Sequence, residues 1–211
     1  MVRGMESTAR APGAVLKLVV LLASVRQGRF GPTVARWFLS EARGHDSFDV
    51  DLIDLAETPL PSALPSNAAE LMNVASRPPE MVSVAARLAA ADAFVVVTPE
   101  YNHSFPASLK HFIDWHFTEW QAKPVSFVSY GAAGRGLRAV EHLRLVFAEL
   151  HAVAIRDTVS FERHSELFNG DGQLASPEGP RDAARVLLEQ LAWWGRALRE
   201  ARRETPYRPA K

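Results

Sequence analysis

The residue types able to hold a ligand gather in three short stretches of this 211-residue chain: SVRQGRFGPT (24–33), PEYN (99–102) and SYGAAGRG (129–136). The first sets small residues and glycines before Pro32, which suits the first turn of a helix. Free amides and the helix dipole would then face an anion such as a phosphate. Ser24 and Thr33 can add hydroxyl donors, and Arg26 and Arg29 charge-assisted bonds. Taken alone, the stretch is equally well a solvated connection with two surface arginines. The P-loop pattern GxxxxGK[ST] is absent, which disfavours ATP or GTP hydrolysis.

The second stretch offers a carboxylate (Glu100), a flat aromatic (Tyr101) and an amide (Asn102). Backbone amides in such a loop can bond the edge of a planar heterocycle while the ring packs nearby. A polar turn around an ordinary, partly buried tyrosine would read the same way. The third stretch carries Gly131, Gly134 and Gly136 in the order GxxGxG. A dinucleotide fingerprint needs GxGxxG after the first strand, so that reading fails. Backbone that can come close under a flat ligand remains.

Other chemistries find little support. The chain has no cysteine, which removes disulfides, thiolate catalysis and Cys-ligated metals. His111 and His116 are five apart and off a common helical face, and His103 adds no third ligand, so no metal set is expected. Trp37 and the pair Trp193-Trp194 suit core or interface packing, and Arg199, Arg202 and Arg203 a solvated helix end.

Each ligand-bearing stretch follows an apolar run that reads as a buried strand: Leu16–Leu22, Phe94–Thr98 and Val125–Val128. Pro99 has no amide hydrogen to give a ladder and should end its strand. Between these runs the pattern predicts helices. One opens at Pro32 with Val34, Trp37, Phe38 and Ala42; another spans Glu80–Ala91. A third has Pro106 in its first turn, Ser104 or Phe105 at its cap, and Leu109, Phe112 and Ile113 inward. Further helices are expected over Leu137–Leu150 and Arg181–Arg203, the last with Val186, Leu187, Leu191, Trp194 and Leu198 on its inner face. Phe48–Ile53, with aspartates interleaved, reads as an edge strand, and His151–Ile155 as a fifth strand. Residues 55–79 hold five prolines and form an irregular connection, with one helical turn near 68–74, of a length that suits covering a site or an interface. Residues 156–179 read as a mixed segment.

Alternation of strand and helix predicts an α/β fold: a three-layer sandwich on a five-stranded parallel sheet of order 2-1-3-4-5. That order brings the loops after strands one, three and four to one rim, the carboxyl end, where ligands bind in open α/β sheets. Residues 15–204 make one domain, flanked by loose segments at 1–14 and 205–211. Hydrophobic content of 47% excludes bulk disorder, and a formal net charge of zero gives no reason to expect nucleic acid or an anionic membrane. No apolar run approaches the roughly 20 residues that span a bilayer, and the default expectation is a cytoplasmic protein.

With these residues in place, the chain resembles the NADPH-dependent FMN reductase family, flavodoxin-like proteins that include quinone and azo-dye reductases. The likeness rests on Ser24-Val25-Arg26…Arg29, on Pro99-Glu100-Tyr101-Asn102…Ser104…Pro106…Leu109-Lys110…Ile113-Asp114-Trp115, and on Ser129-Tyr130-Gly131…Gly134…Gly136. It implies FMN as cofactor and NADPH or NADH as co-substrate, with electrons passing to a quinone, an azo compound, free flavin or a metal oxyanion. It implies that Ser24, Arg26 and Arg29, with Phe30 and Gly31 beside them, hold the FMN phosphate. Pro99 through Asn102 would line the isoalloxazine and ribityl chain, and Ser129, Tyr130, Gly131 and Gly134 the far edge. The cofactor carries the chemistry, so no side chain need be an acid–base catalyst. Ala23 stands where the family often has glycine, and Arg29 where many members have serine, a change that should strengthen the hold on phosphate. Arg135 and Arg138 are candidates for a nicotinamide 2′-phosphate. The resemblance also implies a homodimer or homotetramer with the helix after PEYN at the interface; Phe112, Trp115, Phe117 and Trp120 would suit that role, though core packing explains the first two as well. An electron carrier of the same fold, without its own NAD(P)H activity, is the alternative.

Overall fold

A computed structural model describes residues 15–162 and 167–208; the expected loose segment 1–14 lies outside them. In chain order the elements are β1 (Leu16–Leu22), α1 (Gly31–Arg43), β2 (Phe48–Asp54), α2 (Ala68–Met72), α3 (Pro79–Ala90) and β3 (Ala93–Pro99). There follow α4 (Ala107–Asp114), β4 (Pro124–Gly131), α5 (Leu137–Glu149), β5 (Val153–Ala154), β6 (Val159–Glu162) and α6 (Glu178–Glu204). The strands pair in parallel in the order β2-β1-β3-β4-β5, and β6 also pairs with β4. Every residue of β3 is buried, as its unbroken apolar run requires, whereas β2 alternates between inward and outward residues at the sheet edge.

Two apolar layers sandwich the sheet. Leu18, Val20, Val95 and Val97 face α1 and α6, meeting Val34, Phe38, Leu187 and Leu191. Val19, Leu21, Phe94 and Val96 face the other way, toward Leu88 of α3, Leu109 and Phe112 of α4, and Leu143 and Phe147 of α5. The chain leaves β1 for α1 on one face and β3 for α4 on the other, so their loops part at the carboxyl end and a crevice opens between β1 and β3.

The far edge departs from the expected fifth strand. Only Val153 and Ala154 of His151–Ile155 pair, with Pro124 and Val125. The chain bulges outward and pairs again as β6, against Val128 to Gly131. Arg144 of α5 fixes the bulge by donating to the carbonyls of Ile155 (2.8 Å) and Arg156 (3.0 Å), while Ser126 Oγ donates to that of Asp157 (2.7 Å). Phe161, expected in a mixed connection, is consequently a buried strand residue.

Other differences are local. Pro106 is extended (ψ 141°) and its carbonyl accepts from Leu109 and Lys110, so it caps α4 rather than opening it. Val186 is exposed. The bare backbone of Gly195 lets α6 approach Leu16, where a Cβ would stand 2.9 Å from Leu16 Cδ1, and that contact sets the rotation of the helix. Arg202 is not solvated, since its Nη1 donates to the Ala122 carbonyl at 2.5 Å. Tyr207, in the segment expected to be loose, shares a hydrogen bond of 2.9 Å with His151 Nδ1. Phe112, Trp115 and Trp120, implied at an oligomer interface, are buried within the single chain, and only Phe117 of that set is part-exposed.

The proline-rich connection is anchored by a buried ion pair. Arg77, 5% exposed, donates to Glu119 Oε1 at 2.6 Å and to the Leu71 carbonyl at 2.6 Å. His116 Nδ1 lies 3.1 Å from the same guanidinium, which can only donate, so this nitrogen is the acceptor and Nε2 bears the proton. Burial would raise the Glu119 carboxyl, but hydrogen bonding and charge from the Arg77 guanidinium outweigh it and hold the group low, at about 2. Since that lies below the unfolded value of about 4.3, its contribution is complete above pH 4.3 or so and is lost as pH falls toward 2. Glu119→Leu would leave the guanidinium buried without a counter-charge and is expected to destabilise by about 3–5 kcal/mol. Urea titrations of both proteins across that acid range measure this, the gap narrowing as the wild-type carboxylate takes up its proton.

Candidate functional site

Strand register delivers the three ligand-bearing stretches to one place. Leu22 pairs with Val97, and Ala23 donates to the Val97 carbonyl at 3.0 Å, so the loop after β1 starts beside the end of β3. Pro99 pairs with Tyr130, and Glu100 N donates to the Tyr130 carbonyl at 3.2 Å, setting the loops after β3 and β4 side by side. Between them is a cleft of about 340 Å³, within the range of ordinary small-molecule sites.

The loop after β1 forms the cationic side. Gly28 turns the chain with φ +63°, a left-handed conformation that glycine takes without strain. Arg29 then folds back: its guanidinium grips the Asp54 carboxylate at 2.5 and 2.6 Å and donates to the Ser24 carbonyl at 2.6 Å. Hydrogen bonding to Asp54, at the end of β2, raises the guanidinium's already high affinity for its proton. Arg29 therefore presents a cation whose position is fixed from outside the loop. Arg26 lies over the Tyr101 ring, 5.9 Å from its centre, and carries the other positive charge of the cleft.

The loop after β3 is a two-residue hairpin. Tyr101 and Ser104 exchange both backbone hydrogen bonds (2.8 and 3.0 Å), and Asn102 and His103 have φ of +48° and +67°. Two consecutive positive φ values are those of a type I′ turn, and asparagine tolerates them well. The turn aims the Tyr101 ring into the cleft, where its hydroxyl meets Ser24 Oγ at 2.9 Å and ties the first two loops together. Glu100 turns its carboxylate aside, to Arg138 Nη1 at 2.7 Å and to the Arg138 amide at 3.3 Å, in the first turn of α5. Neither candidate for a 2′-phosphate lacks a counter-charge, because Arg135 in turn pairs with Glu162 at 2.9 Å.

In the loop after β4 the glycine spacing closes the loop upon itself. A Cβ at Gly136 would stand 2.6 Å from that of Ser129, and one at Gly134 would meet Arg138 Nη1 at 2.6 Å. Ser129 is buried and its Oγ donates to the Arg135 carbonyl at 2.9 Å. Tyr130 passes beneath the cleft over Gly31, and burial pushes its phenol up, keeping it protonated.

All of the expected site residues except Gly31, Asn102, Ser129 and Gly134 line the cleft. Those four shape it from behind, Gly31 under Tyr130 and the others in the turns that aim Tyr101 and Gly131. Gln27, Gly28 and Ala132 also line it, inside stretches already singled out. Asp54 was missed as a site residue; its one signal is a carboxylate at the carboxyl end of a strand, on the rim the arginines share. Among the described residues no group of three or more His, Asp or Glu could hold a metal ion.

A parallel sheet of this order, with the loops after β1, β3 and β4 closing on a cleft that is cationic at one side and aromatic at the other, defines a flavodoxin-like ligand-binding protein. The sequence model of NADPH-dependent FMN reductases matches residues 16–166, and the chain belongs to that family. It is 31% identical over 193 residues to a 2-hydroxy-1,4-benzoquinone reductase of Burkholderia sp, covering 87% of this chain and 98% of that one. An NAD(P)H-dependent FMN reductase of Schizosaccharomyces pombe is 36% identical over 121 residues, 57% of this chain and 60% of the yeast protein, so that match spans less than two thirds of the relative. The flavoenzyme NAD(P)H:(acceptor) oxidoreductase FerB of Paracoccus denitrificans has the same fold, with a TM-score of 0.69, 18% identity, and coverage of 87% of this chain and 98% of its own.

The close approach at Gly31 is testable. Its Cβ would stand 2.7 Å from the Tyr130 hydroxyl and 2.8 Å from Leu22 Cδ1, both held by the core. Gly31→Ala is expected to cost about 1–3 kcal/mol through overpacking. Thermal denaturation should show it, with Gly170→Ala, which meets nothing within 4 Å, as the control.

Proposed function

We propose that the cleft holds FMN with its phosphate toward Arg26, Gln27 and Gly28 and its ring system between Tyr101 and Gly131, and that the protein is an FMN-dependent NAD(P)H oxidoreductase acting on quinones. The observation that carries this is the meeting of Arg26, Tyr101 and Gly131 from three separate loops at one cleft. Its donor set fits the cofactor. Fixed positive charge and loop amides suit a phosphate, while Pro99 and Gly131 place backbone, without long side chains, where a planar ring needs close approach.

Bound FMN supplies hydride acceptance from a nicotinamide and delivery of electrons to a second substrate. The protein's part is to position and to exclude. Arg29, locked by Asp54 and the Ser24 carbonyl, holds the loop after β1 in the shape that offers its amides to an anion. The Ser24–Tyr101 hydrogen bond keeps the aromatic wall at a fixed distance from that loop. The phenol of Tyr130, kept neutral by burial, adds no negative charge beneath the site. This reading carries a cytoplasmic, homo-oligomeric protein, with exposed Met72 and part-exposed Phe117 the apolar side chains left for self-association beside α4.

Purified protein should be yellow, and its apo form should bind FMN at least about tenfold more tightly than riboflavin, which lacks the phosphate. Arg26→Ala should erase most of that difference. Anaerobic NADPH should bleach the flavin within the mixing time, and a benzoquinone should restore its colour. A colourless protein that takes up no FMN refutes the assignment, and bleaching that needs a separate reductase makes the protein a carrier.

A further inference from the structure

At the opposite end of the sheet lies a cavity larger than the cofactor cleft, about 600 Å³, that the reductase chemistry does not use. Its walls are apolar: Val82, Ala85, Ala86 and Ala89 of α3, with Val74 and the Tyr207 ring across from them. Its charged lining is Lys123, Arg202 and Glu119, two cationic groups to one carboxylate. The Lys123 ammonium, 5% exposed, forms part of the floor, and the Arg202 guanidinium stands next to it.

The carboxylates nearby already have partners, Asp92 with Arg202 itself among them. Glu119 accepts from Arg77 at 2.6 Å and from the Phe117 amide at 2.9 Å. Asp92 accepts from the Lys17 amide at 3.0 Å and faces Arg199 and Arg202 at 3.3 and 3.5 Å. Among the described residues Lys123 has no carboxylate partner. Two of its three N–H donors go to the carbonyls of Leu88 (2.8 Å) and Ala89 (2.9 Å) at the end of α3, and the ammonium also lies over the Phe94 ring, 5.5 Å from its centre. Burial first, and then the charge of Arg202, lower this amine to about 7, against the opposing charges of Asp92 and Glu119. A buried amine bonded only to neutral carbonyls and a ring, a second cationic group adjacent, and apolar walls leading away suit the head and tail of an amphiphilic anion.

We propose that this cavity binds a monocarboxylate with an apolar tail, its head between Lys123 and Arg202 and its tail along α3. The site shares no residue with the cofactor cleft, so it stands or falls independently of the FMN assignment.

Octanoate is the probe, titrated by calorimetry into the purified protein near neutral pH, beside 1-octanol, which has the same tail and a neutral head. Octanoate should bind at least about tenfold more tightly than octanol. Lys123→Met should abolish that preference without changing the flavin spectrum. Arg202→Gln, at a helix position whose side chain is 21% exposed, should weaken octanoate by about threefold or more. Ala86→Trp, on the exposed face of α3, should fill the cavity and exclude both ligands. No heat from octanoate, equal affinity for acid and alcohol, or octanoate binding undiminished in Arg202→Gln and Ala86→Trp would each overturn the proposal. So would octanoate binding that is lost when the cleft is saturated with FMN.

Discussion

The central place of β1, hydrogen-bonded to β2 on one side and to β3 on the other, constrains everything at the ligand-binding rim. A strand in that position is expected to be apolar on both faces, and Leu16–Leu22 is so except for the exposed Lys17 at its start. Its parallel pairing aligns its carboxyl end with those of β2 and β3. Asp54 and the loop after β1 therefore come within reach of each other, and so do Ser24 and Tyr101. The contacts that define the cleft join segments carried by neighbouring strands. A register slip at β1 would turn its side chains to the wrong faces and separate all of these contacts at once.

The cleft is held by few but well-anchored polar links. Arg29 with Asp54 spans two loops, Ser24 with Tyr101 spans two more, and Glu100 with Arg138 fastens the β3 loop to the helix after β4. Each is partly shielded, so water screens it less than it would an exposed pair. The apolar layers on both faces of the sheet supply the rigidity that lets such short links set distances. Binding groups thus sit on irregular backbone while the scaffold beneath them stays fixed.

Much of this was legible in residue order. Runs such as AFVVV have one sensible home, a strand buried on both faces, and Pro99 marks where such a strand must stop. From alternating strands and helices the sheet order follows by handedness, and with it the meeting of the three loops. What escaped reading depends on pairing across distance. Arg29 and Asp54 are 25 residues apart, and only the β1–β2 register reveals them as partners. The glycines of the third loop signal backbone freedom but not its use; here Gly134 and Gly136 make room for Arg138 and Ser129. The break between β5 and β6 is invisible locally, because the bulge is stabilised by Arg144 from a different element.

That broken edge has an outcome for the molecule in a crowded solution. An uninterrupted outer strand offers a long row of unsatisfied amides and carbonyls on which an alien chain can zip. Here the row is cut after two residues, and the interrupting carbonyls are already capped by a guanidinium and a hydroxyl. The far flank of the sheet thus presents two short rows, of two and four residues, in place of one continuous template.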